Sequence, residues 1–151
     1  VNTTDKYESP FVFLGFKVRE MHFKINEQSD GQRFPLDFDI DSDFEYEEEI
    51  DQIKCAITLK VKFFKTLTAK NEDYPFNFEV VVDGYFAASL ADISPERFKK
   101  MAEKNGVAIL FPYLRSIICD ASKMANIQPI LLPSINVVKF IEDRHKSKDN
   151  S

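Results

Sequence analysis

Residues 36–51 read LDFDIDSDFEYEEEID. Every odd position from 37 to 51 is a carboxylate (Asp37, Asp39, Asp41, Asp43, Glu45, Glu47, Glu49 and Asp51), while the even positions hold Leu36, Phe38, Ile40, Ser42, Phe44, Tyr46, Glu48 and Ile50. Successive side chains of an extended strand point to opposite faces, so the stretch is a β-ribbon, apolar on one side and anionic on the other.

The same alternation extends in both directions from this ribbon. Upstream, FVFLGFKVREMHFKIN carries apolar residues at Val12, Leu14, Phe16 and Val18 and then at Met21, Phe23 and Ile25; the parity flips near Arg19 and Glu20, which predicts a bulge or bend in one long strand. EQSDGQ then reads as a loop. Downstream, Cys55, Ile57, Leu59, Val61 and Phe63 share one face of a strand, with Lys54, Thr58, Lys60 and Lys62 on the other. After the polar turn KNEDYP, a fourth strand sets Phe76, Phe78, Val80 and Val82 opposite Asn77, Glu79, Val81 and Asp83. Four such patterns joined by short polar connections predict an antiparallel sheet.

From residue 94 the period becomes helical. Ser94 can cap a short helix opening with Pro95 and Glu96, and Gly106 fits a stop. A longer helix carries the apolar stripe Leu110, Tyr113, Leu114, Ile117, Ile118, Ala121, Met124 and Ala125, leaving Arg115, Ser116, Asp120, Ser122 and Lys123 mostly outside; Pro112 places its start near Phe111. After the proline-bounded link IQPILLPS, a last helix begins at Asn136. Strands first and helices afterwards predict an α+β domain, a four-stranded antiparallel sheet with two main C-terminal helices on one face. The expected organisation is a flexible segment over 1–10, one domain over 11–141 and a polar, disordered tail over 142–151.

The totals suit one ordered domain: 151 residues, 44% hydrophobic, 30% charged, with 15 Phe and no Trp. A net charge of −5 argues against nucleic acid or an anionic membrane as the main partner. The absence of an 18-residue apolar run or a basic-then-apolar start predicts neither membrane insertion nor a signal peptide. Cys55 and Cys119 suit reduced, structural residues of a cytoplasmic protein.

The acidic face carries a cost. Carboxylates about 7 Å apart along a strand repel by roughly 0.6 kcal/mol in water before salt screening. If strands two and three form a hairpin, Lys54, Lys60 and Lys62 face the carboxylates and offset part of it. Three lysines against eight carboxylates leave two readings open, a solvated sheet face or a docking surface for a basic partner. EEEIDQI lacks hairpin turn residues, so the strand can also end before Glu45 in a loose acidic loop. Asp37, Asp39, Asp41 and Glu48 have the outer spacing of a calcium loop, but Ser42 replaces its central glycine and the interleaved apolar residues demand a strand, so no metal site is assigned. His22, His145 and the two cysteines form no sequence constellation for nucleophilic catalysis, and no glycine-rich phosphate loop is present; no enzyme is expected and no catalytic residue is named. Cys119 falls opposite the helix stripe and suits an interface.

Three stretches carry a resemblance. EVVVDGYFAASL, then ILFPYLRSII, with Arg115 three residues past the proline, then ILLPSINVVKF together resemble the SecB family of protein-export chaperones, and residues 11–140 follow its pattern in order. The resemblance implies a four-stranded sheet with two helices and a dimer of dimers, hence a homotetramer. It implies no cofactor, no ATP and no catalysis, with unfolded client polypeptides held in apolar grooves and passed to the SecA motor ATPase through an acidic sheet face. Relatives that guard an antitoxin share the fold. Glu20 and Glu79 stand at positions matching motor-contacting carboxylates, whereas Lys24 replaces an acidic position and the near-neutral EDRHKSKDNS replaces an acidic tail. In this frame Phe11, Phe13, Phe34, Phe76, Val137 and Phe140 are candidate client contacts, and Glu20, Asp37, Asp39, Asp41 and Glu79 are candidate partner-docking residues. Ordinary core packing for the first set and a solvated face for the second are the plain alternatives. The competing function is an acidic adaptor that binds one folded basic protein and no unfolded chains.

Overall fold

The computed structural model describes residues 8–26, 36–64 and 74–149; Phe34, EQSDGQ and most of KNEDYP lie outside them. The strands are β1 (Val12–Ile25), β2 (Phe38–Glu48), β3 (Gln52–Phe63) and β4 (Phe76–Ser89). They form one antiparallel sheet in the order β1-β4-β3-β2, so β1 and β2 are its edges.

The register follows from the alternation. Ile53, Cys55, Ile57, Leu59, Val61 and Phe63 of β3 are buried on the inner face, beside Phe78, Val80, Val82 and Phe86 of β4. The β2–β3 hairpin sets Asp39 opposite Lys62, Asp41 opposite Lys60 and Glu47 opposite Lys54. β2 does not dissolve before Glu45. Its turn is closed by Glu49 N–H donating to the Gln52 carbonyl (2.8 Å), by Gln52 Nε2 donating to Glu49 Oε2 (2.6 Å) and by Leu90 N–H donating to the Asp51 carbonyl (2.9 Å). These bonds supply what turn-type residues otherwise would.

β1 shifts register between Val18 and Glu20, at the place where the sequence parity flips. A second shift, between Phe13 and Gly15, is not visible as a parity change, because Gly15 has φ +117 and no side chain to report its face. Its consequence is that Phe13 pairs with inward Phe86, while Val12 pairs with outward Ala87.

The helices are α1 (Pro95–Met101), α2 (Val107–Met124) and α3 (Val137–Asp149). Ser94 caps α1, its Oγ accepting from Arg97 N–H at 3.3 Å. Gly106 does not end the helical run: Ala102–Gly106 form a wide π-helical turn, and α2 follows without a break. Gly106 is buried beneath Ile57 and Phe11, a packing position that composition alone reads as a stop. α2 therefore starts four residues before Phe111, and Pro112 lies inside it. Asn136 caps α3, its Oδ1 accepting from Lys139 N–H at 3.1 Å. α3 runs to Asp149, so the tail expected from residue 142 is helical over most of its length.

Leu110, Leu114 and Ile118 of α2, with Phe98 of α1, pack on the inner sheet face to close the core. Ser122, expected outside, is fully buried: its Oγ accepts from Ile130 N–H (2.8 Å) and donates to the Cys119 carbonyl (2.7 Å). Arg115 Nε donates to the Leu132 carbonyl at 3.0 Å. Both residues tie the extended 125–136 link to α2. Among the described residues no helix is long and apolar enough to cross a membrane.

Candidate functional site: two apolar grooves and a charged sheet face

The inner face of β1 projects beyond the helix layer. Phe16, Val18, Met21 and Ile25 are large, apolar and more than a third exposed, as are Tyr113 and Met124 of α2. Phe16 lies 4.7 Å from the Tyr113 ring, which also contacts Phe13 at 5.5 Å. Further along, Met21, Phe23 and Ile25 of β1 face Ile117, Ala121 and Met124 of α2 across a groove of 570 Å³. The stripe on α2 is thus divided, with Leu110, Leu114 and Ile118 in the core and Tyr113, Ile117 and Met124 on this surface. An apolar strip beside an edge strand, whose backbone groups meet no further strand among the described residues, is the arrangement that takes up another polypeptide.

A second groove lies at the other edge. Ser42 and Phe44 of β2, Val107 of α2 and Val138, Ile141 and His145 of α3 line a cleft of 380 Å³. Phe38 and Phe140 stack at 5.5 Å, with Arg144 5.0 Å above the Phe140 ring. β2 offers its free edge to this cleft and, on its opposite side, the acidic row.

The outer sheet face is a network of charges rather than a bare anionic surface. Arg19, carried outward by the β1 bulge, makes a two-point contact with Asp83 (Nε–Oδ2 2.8 Å, Nη2–Oδ1 2.6 Å), and Thr58 Oγ1 donates to Asp83 Oδ1 at 2.7 Å. Burial pushes the Asp83 carboxyl up, and the Arg19 and Thr58 hydrogen bonds outweigh it, holding Asp83 below the usual carboxylate range. Lys60 lies 2.8 Å from Glu79, which lowers the Glu79 carboxyl and raises the lysine. In the interior, burial pushes the Cys55 thiol up to about 12, which leaves it an inert apolar residue.

The residues singled out from the sequence do not converge on one place. Phe11 is buried and stacked on Phe86 at 4.8 Å; Phe76 is buried among Phe23, Phe63 and Phe64. Phe13 is half-buried at one end of the β1 strip. Val137 is buried at the start of α3, while Phe140 is half-buried beside the β2 cleft. Phe34 lies outside the described residues. Of the carboxylates, Glu20 is exposed on the outer face, Asp41 sits across from Lys60, and Glu79 is engaged by Lys60. Asp39 is buried, its Oδ1 3.6 Å from Arg144 Nε, and Asp37 precedes β2, with its carbonyl accepting from Phe64 N–H. Met21, Ile25 and Phe44 were visible only as strand-face residues, because exposure on an uncovered edge leaves no mark in the alternation itself. Among the described residues no three His, Cys, Asp or Glu side chains are grouped to hold a metal ion.

Comparison with known proteins adds three findings. The family model described as preprotein translocase subunit SecB matches residues 20–148. An uncharacterized protein of Methanocaldococcus jannaschii, MJ0357, is 29% identical over 145 residues, covering 92% of this chain and 87% of the relative. Among solved structures, the Mycobacterium tuberculosis Rv1957 SecB-like chaperone, in complex with a ChAD peptide from the Rv1956 HigA1 antitoxin, superposes with a TM-score of 0.57 at 14% identity, covering 83% of this chain and 90% of that one.

Proposed function

This chain belongs to the SecB family, and from that membership we propose that it is a cytoplasmic holding chaperone, acting without ATP, cofactor or catalysis on unfolded polypeptides. The observation that carries the proposal is the pair of open sheet edges, each flanked by an apolar groove. The β1–α2 groove is the larger, and its row of exposed apolar side chains suits self-association. Two β1 edges joined antiparallel about a two-fold axis would extend the sheet and bury Phe16, Val18 and Met21, and a second such contact would give a dimer of dimers.

The cleft between β2 and α3 then receives the client. An extended segment can add to the β2 edge through backbone hydrogen bonds that read no sequence, and drop alternate side chains against Phe44, Val138 and Ile141. Asp41, Asp43, Glu45 and Glu47 line the outer side of the same strand, so client segments with basic residues between apolar ones are favoured. An antitoxin segment and an exported precursor both fit this chemistry. Docking of a motor such as SecA through Glu20, Asp37, Asp39, Asp41 and Glu79 would require displacing Lys60 from Glu79 and Arg144 from Asp39.

The test is suppression of aggregation. The protein should keep an unrelated denatured protein in solution at near-stoichiometric ratio without nucleotide, and Phe44→Asp should lose this ability while keeping its oligomeric state. A protein that binds only one folded basic partner, and leaves the aggregation curve unchanged, would be the adaptor instead.

A further inference from the structure

The outer sheet face is anionic along β2, but its corner at the C-terminal ends of β1 and β3 carries the opposite charge. The register sets Glu79 of β4 between His22 of β1 and Lys62 of β3, and Lys24 of β1 beside Asn77 in the next row. These five side chains line one recess of 600 Å³. His22, Lys24 and Lys62 are exposed, and among the described residues neither lysine lies within ion-pair distance of a carboxylate. Asp39, opposite Lys62, is buried against Arg144, and Glu79 is engaged by Lys60 at 2.8 Å. Asn26 Nδ2 donates to Asn77 Oδ1 at 2.9 Å, which fixes that amide and leaves its N–H groups as donors. We propose that this corner docks a carboxylate-rich segment of a partner protein, with Lys24, Lys62 and His22 as the contacts and Asn77 as a neutral donor beside them.

Charge complementarity selects the occupant. A recess lined by two uncommitted lysines, a histidine and an amide donor favours an anion, although the chain as a whole carries −5. Size selects among anions. Lys24 and Lys62 stand two strand spacings apart, about 10 Å across the sheet, and a single exposed ion pair contributes little. One small anion therefore gains little here, whereas a segment with several carboxylates, about 7 Å apart at alternate positions when extended, engages both lysines at once. The segment cannot join as a strand, because β4 is already paired on both sides and offers side chains only. Recognition is thus of acidic side chains, unlike the backbone-led holding assigned to the β2 edge. The corner also stays open in an assembly: the helices cover the inner face, and β1 edges joined in the plane of the sheet leave the outer one uncovered.

The experiment uses the full chain and a fluorescein-labelled peptide of alternating Glu and Ala, read by anisotropy, beside a Gln-for-Glu peptide and a single-stranded DNA oligonucleotide. The Glu peptide should bind and weaken as salt rises, and the Gln peptide should not bind. Lys24→Gln with Lys62→Gln should lower affinity at least tenfold, while Lys54→Gln, whose lysine sits by Glu49 outside the recess, should match the parent. Asn77→Asp keeps the acceptor for Asn26 but puts a carboxylate where the donor stood, so it should fold as the parent does by circular dichroism and lose binding at least tenfold. Equal binding of the Glu and Gln peptides, equal loss in Lys54→Gln, or full binding by a folded Asn77→Asp would each overturn the proposal. DNA bound as tightly as the Glu peptide would also overturn it, since the corner would then take any polyanion. Client holding, followed by light scattering, should be unchanged in every variant, and its loss in the double lysine variant would overturn the separation of this corner from the client cleft.

Discussion

Gly84→Ala tests how the helix layer is seated on the sheet. Gly84 lies on the inner face of β4, and a Cβ there would stand 2.9 Å from both Cδ1 and Cδ2 of Leu110 and 3.4 Å from its Cγ. Leu110 has no exposed surface, so its side chain must repack against its buried neighbours or α2 must shift. Overpacking of this kind costs about 1–3 kcal/mol, against about 0.5–1 kcal/mol gained by replacing a strand glycine with alanine. The net loss is about 1 kcal/mol at mid-range and up to about 2.5 kcal/mol, a fall in Tm of roughly 2–4 °C at mid-range and up to about 10 °C for a chain of this size. The assay is thermal unfolding by circular dichroism at fixed protein concentration, since self-association shifts the midpoint. Leu110→Ala alone should cost about 2–5 kcal/mol, and the two changes together should cost clearly less than their sum, because the new methyl refills part of the space. An unchanged Tm for Gly84→Ala, or strict additivity in the double variant, would refute the close approach.

Acid should weaken the fold through Asp83. Its carboxyl is held below the ordinary 3.8, so its contribution is complete above the unfolded value and is lost as pH falls through the lower folded one. Denaturant titrations from pH 5 downward should show this loss in the parent and a shallower slope in Asp83→Asn. Val18→Lys on the exposed inner face of β1 should leave circular dichroism unchanged while converting the assembly to a smaller species in sedimentation velocity, since the change buries a charge only in the joined form. Val138→Glu, on the half-buried wall of the β2–α3 cleft, should weaken client binding by about tenfold, near 1.4 kcal/mol for the loss of one apolar contact, with assembly intact by light scattering. Binding of a Lys-rich client peptide should weaken as ionic strength rises, and the slope should flatten when Asp41, Asp43 and Glu45 become their amides, as fluorescence anisotropy can show.

The fold was legible where one face of an element is buried along its whole length. β2, β3 and β4 alternate because helices cover one side only, and the parity break at Arg19 marked the bulge that turns Arg19 toward Asp83. That the lysine face meets the acidic face could be read on the condition of a β2–β3 hairpin, while the register itself comes from the structure. Legibility failed where a small residue is used for packing, as at Gly106, which sits inside a continuous helical run under Ile57. It failed again where a polar residue serves the backbone, as with Ser122, whose burial depends on a link eight residues away. The grooves were only half visible. Phe140 and the α2 stripe were found, but the division of that stripe between core and open surface depends on how far β1 extends past the helices, which no local pattern encodes. The family resemblance carried by the DGYF, LFPYLR and LPSIN stretches agrees with the family match over residues 20–148.

The most direct measurement is an aggregation assay on an unrelated, chemically denatured protein, with this chain added in rising amounts and no nucleotide present, and hydrogen exchange recorded on the resulting complex. Light scattering should fall to baseline near one client per assembly, and slowed exchange should appear along the β2 edge, at Ser42–Glu48, and over the first two turns of α3. Undiminished scattering at excess chaperone, or slowed exchange confined to the outer sheet face, would contradict the client-holding function.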